Sequence, residues 1–211
     1  VKEAVVQVET TGLKEDKVLV VYLPKCHESI AGIVAGRLRE RYYKPVFVLT
    51  KAEEGAKGSG RSIETYHMYD ELSRCKDLLT RFGGHRLAAG LSLPEEKILS
   101  LRKKLNENTT MTEEDLTEKV VIDMQLPLCE ITEDFVQELS LLEPFGKGNT
   151  KPVFARRKLL FRRGRVIGKH QNVLKLEVED ADHTTMDAIF FGDLETFFSC
   201  LSQKYGQIGR A

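Results

Sequence analysis

Arg81-Phe82-Gly83-Gly84-His85-Arg86-Leu87-Ala88-Ala89-Gly90 is the stretch whose reading decides the fold. Upstream of it Met68, Leu72, Cys75, Leu79 and Phe82 recur at spacings of four, three, four and three, which predicts an amphipathic helix from about His67 to Phe82. Glycine tolerates the left-handed region and commonly ends a helix, and a glycine pair lets backbone N–H groups converge on an anion. His85 then adds a donor, or a charge near neutral pH. Taken alone, the pair reads more simply as a helix cap and a tight turn. Ala88 to Leu93 follows as a strand, and Glu95 to Asn106 as a helix with Ile98, Leu101 and Leu105 inward.

Outward from this stretch the pattern is α/β. Lys17 to Leu23 is an apolar run rich in β-branched residues, a buried strand closed by Pro24. Ser29 is the expected N-cap of a helix from Ile30 to Arg41, with Ile30, Ile33, Val34 and Leu38 on one side. Its two glycines, Gly32 and Gly36, are costly in a helix and imply close packing on a sheet. Pro45 to Thr50 reads as a second strand, parallel to the first. Lys51 to Gly60 is polar and glycine-containing, a predicted loop leading into Gly60-Arg61-Ser62-Ile63.

The polar, aperiodic stretch from Asn106 to Asp115 reads as a linker, which divides the chain into an α/β domain over residues 1–112 and a second domain over 113–211. In the second, Val120 to Leu126 is a candidate strand and Thr132 caps a short helix through Leu142. Strand-like segments follow at Val153 to Phe161, Arg165 to Gly168, Val173 to Glu179 and Thr185 to Phe191. Short strands separated by turns predict a small, incomplete barrel.

Composition sets wide limits. Hydrophobic residues make up 41% and charged residues 30%, a globular composition with no run long enough to span a membrane and no signal-peptide pattern. Cys26, Cys75, Cys129 and Cys200 are scattered without a CxxC pair, against a zinc site or disulfide framework and in favour of reduced thiols in a cytoplasmic protein. The net charge of zero conceals a strong asymmetry. Glu113 to Glu143 holds ten acids and one base, whereas Lys151 to Lys175 holds nine Lys/Arg and no acid. Such a basic stretch is a candidate nucleic-acid stripe, the alternative being a solvated strand surface. The chain starts at Val1 and is expected to be part of a longer protein.

Three segments in order carry a resemblance: Lys57-Gly58-Ser59-Gly60-Arg61-Ser62-Ile63, the Gly83-Gly84-His85 turn, and Leu142-Glu143-Pro144-Phe145-Gly146-Lys147-Gly148-Asn149 with Pro152-Val153-Phe154. The first two resemble the signature segments of the DHH-associated domain of DHH-family phosphoesterases. All three together resemble the RecJ-type single-strand-specific exonucleases over nearly the whole chain. The resemblance implies a DHH-associated α/β domain followed by part of an oligonucleotide-binding (OB) domain, from a 5′→3′ exonuclease of DNA repair and recombination.

It also implies roles. Ser59, Arg61, Ser62, Gly83, Gly84 and His85 would hold substrate phosphate, Arg61 as a planar fork for two oxygens. His27 matches a family histidine between strand and helix and is a candidate for substrate-side support, although Cys26 and Glu28-Ser29 replace the aromatic and Pro-Gly expected around it. Arg156, Arg157, Lys158, Arg162, Arg163, Arg165 and Lys169, interleaved with Phe154 and Phe161, are the candidate single-strand-binding set, with at least one of the two aromatics expected in the core. Hydrolysis in this family needs two divalent metals, Mn or Mg, held by aspartates and a DHH triplet that the sequence lacks. The expectation is therefore no metal bound by this chain and no cleavage by it alone, with single-stranded DNA and the missing DHH domain as partners and no membrane. Two other readings share the glycine-histidine turn. One is a DHH phosphoesterase of short oligonucleotides or cyclic dinucleotides, which needs no basic barrel. The other is an RNA-binding module of an alanyl-tRNA synthetase, which the residues after Leu116 do not fit.

Overall fold

The computed structural model of the chain describes residues 1–146 and 148–205. They divide into two compact units, Val1–Lys119 and a second that begins at Val120. The division falls seven residues beyond the linker boundary expected after residue 112. The intervening residues are held by the first unit: Met111 is buried, Leu116 packs on its core, and Thr65 Oγ1 donates to the Asp115 carbonyl at 3.4 Å.

The first unit opens with α1 (Lys2–Thr10) and continues through β1 (Leu19–Tyr22), α2 (Glu28–Tyr42) and β2 (Val46–Lys51). β1 and β2 pair in parallel with Leu19 opposite Val46. Their β-branched residues are buried on both faces, so they read as continuous apolar runs. The cap of α2 is His27, not Ser29: the His27 ring accepts from the Ser29 N–H at 3.3 Å, and the Ser29 hydroxyl lies 2.7 Å from Nδ1. Val34 and Leu38 face inward with Ala31 and Ala35, whereas Ile30 and Ile33 are exposed. Gly32 has the expected packing reason, since a methyl there would lie 2.8 Å from the Arg61 guanidinium; Gly36 has open space around it.

The largest departure from expectation is that both glycine-rich segments are strands. β3 (Ala56–Arg61) runs antiparallel to β2, with Val48 opposite Ser59, and occupies the middle of a five-stranded mixed sheet of order β1-β2-β3-β5-β4. Glycines suit this position because interior side chains crowd the strand. A methyl on Gly60 would lie 2.7 Å from Met68 Cε and 2.8 Å from Phe47 Cδ1. α3 (Met68–Arg74) is shorter than the periodicity predicts. Thr80 N–H donates to the Ser92 carbonyl at 2.8 Å and draws the chain into the sheet as β4 (Arg81–His85), which turns through Arg86 and Leu87 into β5 (Ala88–Leu93). The 4-3-4-3 stripe misleads because Phe82 packs on the same core from a strand. α4 (Ile98–Asn108) completes the unit with Ile98, Leu101 and Leu105 buried.

Helices cover both faces unequally. Leu19, Val21, Val46 and Val48 point from one face into a core shared with α1 and α2. Phe47, Leu49, Ala89, Leu91 and Leu93 point from the other into a core with Met68, Leu72 and Leu101. Each large aliphatic side chain so buried contributes about 1.5–3 kcal/mol. Cys75 lies wholly within the second core, and burial pushes its thiol up to about 11. Cys129 and Cys200 are exposed. A maleimide at pH 8 should therefore label Cys129 and Cys200 rapidly and reach Cys75 only after denaturant is added. Equal labelling of Cys75 in the native protein would contradict this packing.

In the second unit β6 (Met124–Gln125) is only two residues long, although a strand is expected from Val120; Val120, Val121 and Ile122 are exposed. α5 (Glu133–Leu139) is capped as expected, the Thr132 side chain accepting from the Phe135 N–H at 3.1 Å. β7 (Phe154–Ala155) pairs in parallel with β6. β8 (Leu160–Ile167), β9 (Val173–Glu179) and β10 (Thr185–Phe191) form an antiparallel sheet of order β10-β9-β8. The expected strand Val153–Phe161 is broken between β7 and the start of β8, which runs on into the expected Arg165–Gly168 with an irregularity between Phe161 and Arg163. α6 (Leu194–Tyr205) follows. Lys147 of the Leu142–Asn149 motif lies outside the described residues.

Candidate nucleic-acid interface

Alternation along paired strands sorts the first unit's candidates onto two faces. On the face where α2 packs over β2 and β3, the strands β5 and β4 stay open, and together with β3 they present three cross-strand rows. Lys57, Ser92 and Arg81 form the first; Ser59, Gly90 and Gly83 the second; Arg61, Ala88 and His85 the third. Ser59, Arg61, Gly83 and His85, two segments apart in sequence, thus share one surface. The two central glycines are opposite each other, and neither sits at positive φ. A methyl on Gly83 would meet nothing within 4 Å, and on Gly90 only the Gly58 carbonyl oxygen at 3.8 Å. No packing or backbone demand from the first unit requires glycine at either position. Their effect is to leave a bare strip of sheet between two cationic rows.

Two expected ligands leave this surface. Ser62 is 4% exposed; its hydroxyl donates to the Tyr66 carbonyl at 2.8 Å and its N–H to the Leu87 carbonyl at 2.9 Å. It fastens the end of β3 to the hairpin tip. Gly84 has φ 145°, and a methyl there would overlap the Ala88 carbonyl and lie 2.6 Å from Ala89 Cα. Its glycine serves the hairpin itself. His27 sits at the α2 cap beside a cleft lined by Glu28, Lys51, Lys57, Arg81 and Ser92, with its Nδ1 engaged by Ser29.

Arg61 anchors the third row. One guanidinium nitrogen donates to the Gly60 carbonyl at 2.7 Å and another lies where Gly32 leaves space. His85 Nδ1 accepts from the Leu87 N–H at 3.3 Å, which orients the ring at the exposed hairpin end. Lys57 pairs with Glu28 at 3.3 Å, an exposed contact of little energetic weight. Lys57 and Arg81 were not among the expected ligands. Reading both glycine-rich segments with period two exposes them, since Lys57/Ser59/Arg61 and Arg81/Gly83/His85 are the same pattern.

The basic stripe of the second unit divides in two. Arg156 is spent on structure: it pairs with Asp180 at 3.0 Å and Asp182 at 2.6 Å. Arg162 pairs with Glu179, which His183 also contacts at 2.8 Å; Arg162 and then His183 hold the Glu179 carboxyl down at about 2. Arg157, Lys158, Arg163, Arg165 and Lys169 are exposed and carry no ion pair among the described residues. Phe154 is half-buried and packs edge-on against Phe135 at 5.5 Å, whereas Phe161 is 38% exposed on the apolar side of β8.

Among the described residues no three or more His, Cys, Asp or Glu side chains gather where a metal ion could be held, and no helix is long and apolar enough to cross a membrane.

Comparison with known proteins follows the same division. Residues 15–110 match the family model of the DHHA1 domain and residues 122–208 that of the RecJ OB domain. The chain is 35% identical over 199 residues to the single-stranded-DNA-specific exonuclease RecJ of Bacillus subtilis, covering 92% of this chain and 25% of that protein. It is 38% identical over 143 residues to the Escherichia coli protein of the same name, covering 64% and 25%. The crystal structure of Thermus thermophilus RecJ with Mn2+ superposes with a TM-score of 0.72 at 28% identity, over 92% of this chain and 28% of that one. The Mg2+ form gives 0.69 at 28% identity, over 92% and 31%. The chain thus spans only about a fifth to a third of the relatives it matches.

Proposed function

The chain belongs to the RecJ family, with a DHHA1 domain followed by a RecJ OB domain, and from that premise we propose that it is the strand-holding part of a single-stranded-DNA-specific exonuclease. The observation that carries the proposal is the open tile of the first unit, with Ser59, Arg61 and His85 around a bare Gly83–Gly90 strip. A phosphodiester needs close approach to backbone together with a planar two-donor fork, and the tile offers both. Arg61, Ser59 and His85 take phosphate; Gly83 admits the sugar-phosphate chain; Lys57 and Arg81 supply a further cationic row. Arg157, Lys158, Arg163, Arg165 and Lys169 hold the strand on the second unit. Cleavage, with Mg2+ or Mn2+, is the work of the DHH domain of the whole protein. In the cell its role is DNA repair and recombination in the cytoplasm. The basic sheet of the second unit favours this reading over a phosphoesterase of short oligonucleotides or a tRNA-binding module.

Anisotropy of a labelled 5′-phosphorylated single strand, titrated at several salt concentrations, tests the proposal. Arg61→Ala/His85→Ala should weaken binding at least about tenfold. Arg163→Ala/Arg165→Ala should lower the slope of log K against log salt by about 1.4, at roughly 0.7 per lost phosphate contact on a single strand. Arg156→Ala should leave that slope unchanged. Absence of single-strand binding at low salt, or a preference for tRNA or duplex, would reject the proposal. The chain alone should release no nucleotides with Mn2+ or Mg2+.

A further inference from the structure

The outer face of the β8-β9-β10 sheet carries an aromatic residue outside the expected set. Phe190 stacks on Phe197 of α6 at 4.6 Å between ring centroids, so this side of β10 faces the helix. Alternation then turns Phe191 to the opposite side, where it is 74% exposed. That side has its own rows. Phe191, Val173 and Ile167 lie across one; Ile189, Lys175 and Arg165 across the next; Asp187, Glu177 and Arg163 across the third. Ile189 is 54% exposed beside Phe191.

Charge is graded along this face. Acids occur only from the third row onward, and Lys175 bridges to Asp187 at 2.6 Å. Around the aromatic end are Arg165 and, in the β8–β9 turn, Lys169 and His170, all exposed. The nearest acid in sequence, Asp193, accepts from the Glu195 N–H at 3.0 Å and the Thr196 hydroxyl at 3.0 Å at the start of α6. An exposed ring and aliphatic side chain framed by unpaired cations is a poor match for a protein's apolar surface and a good one for a base attached to phosphate.

We propose that Phe191 is a base-stacking platform of the second unit, with Ile189 beside it and Arg165 and Lys169 on the flanking phosphates. The inference rests on the strand-binding reading above and assigns a residue to it. Base–aromatic stacking tolerates any sequence, as a protein that holds arbitrary single strands requires.

The chain contains no tryptophan, so Phe191→Trp introduces a single reporter. Oligo-dT should quench its fluorescence, while an abasic deoxyribose-phosphate strand of equal length should bind more weakly and leave the emission little changed. Phe191→Ala should weaken oligo-dT binding about five- to thirty-fold with an unchanged salt slope, and Phe191→Tyr should restore it. Normal oligo-dT binding by Phe191→Ala together with an unquenched Phe191→Trp would overturn this inference and leave the strand-binding reading intact. Loss of binding by the unsubstituted chain would overturn both. A change in self-association on Phe191→Ala, with strand binding unaltered, would make the face a contact between copies and would also overturn the platform.

Discussion

Gly84→Ala is expected to destabilise the first unit by at least about 2 kcal/mol, while Gly83→Ala, one residue away, should change its stability by less than about 0.5 kcal/mol. Gly84 holds φ 145°, and an added methyl would overlap the Ala88 carbonyl and press on Ala89 Cα at 2.6 Å. Both obstacles are backbone of the paired strand, so neither can move aside without opening the hairpin. Gly83 has nothing within 4 Å of an added methyl. If the tile holds a sugar-phosphate chain, Gly83→Ala should nevertheless weaken strand binding about tenfold. Denaturant titration and anisotropy on the two variants separate a glycine required by the fold from one required by the ligand. Wild-type stability in Gly84→Ala would refute the hairpin geometry, and wild-type binding in Gly83→Ala would refute the close approach.

Asp180→Ala should lower the melting point of the second unit by on the order of 10 °C. The Asp180 side chain is wholly buried. It accepts from the N–H groups of Leu128 at 3.2 Å, Asp182 at 3.0 Å and Thr184 at 3.3 Å, besides pairing with Arg156. Removing it leaves three backbone donors and a partly buried guanidinium without that acceptor. Burial alone would raise this carboxyl, but the three N–H groups and Arg156 outweigh it and hold it below the usual carboxylate range. Glu179 next to it is held down at about 2 by Arg162 and then His183. Both groups are depressed in the folded state, so what they contribute is present above the ordinary carboxylate range and is lost as pH falls through their folded values. For Glu179 that window runs from about pH 4.5 to about 2. Protection of the Leu128 and Thr184 amides, measured as the exchange rate relative to the intrinsic rate at the same pH, should fall in Asp180→Ala and, in the unsubstituted chain, on acidification. A melting point within one or two degrees of wild type would show that Asp180 does not organise this unit.

Sequence patterns served best where one segment's own periodicity decides its state. The β-branched runs at Leu19–Tyr22 and Val46–Lys51, the strands Ala88–Leu93, Val173–Glu179 and Thr185–Phe191, and the Thr132 cap stand where they are expected. They served least at Ala56–Arg61 and Arg81–His85. At the first, glycine's low strand propensity argued for a loop, yet β3 forms because Phe47 and Met68 fill the space a side chain on Gly60 would occupy. At the second, the apolar stripe ending in Phe82 argued for a helix and its cap, yet pairing with β5 makes the segment a strand.

The same limit governed the site. The residue order by itself determined the family, the two-part organisation and the chemical types of the residues proposed to hold phosphate, because motif residues keep their identity in any conformation. Tertiary structure alone decided which of them can act together. Strand register brings Ser59 and Arg61 beside Gly83 and His85, and buries Ser62. Contacts across 17 and 26 residues bind Arg162 to Glu179 and Arg156 to Asp182, removing two cations from a stripe that looked uniform. Phe191 gains its place on the open face only because Phe190 packs on α6. A local pattern records what a residue is; its facing and its charge partners depend on pairing between distant segments, where the balance of burial and desolvation is struck.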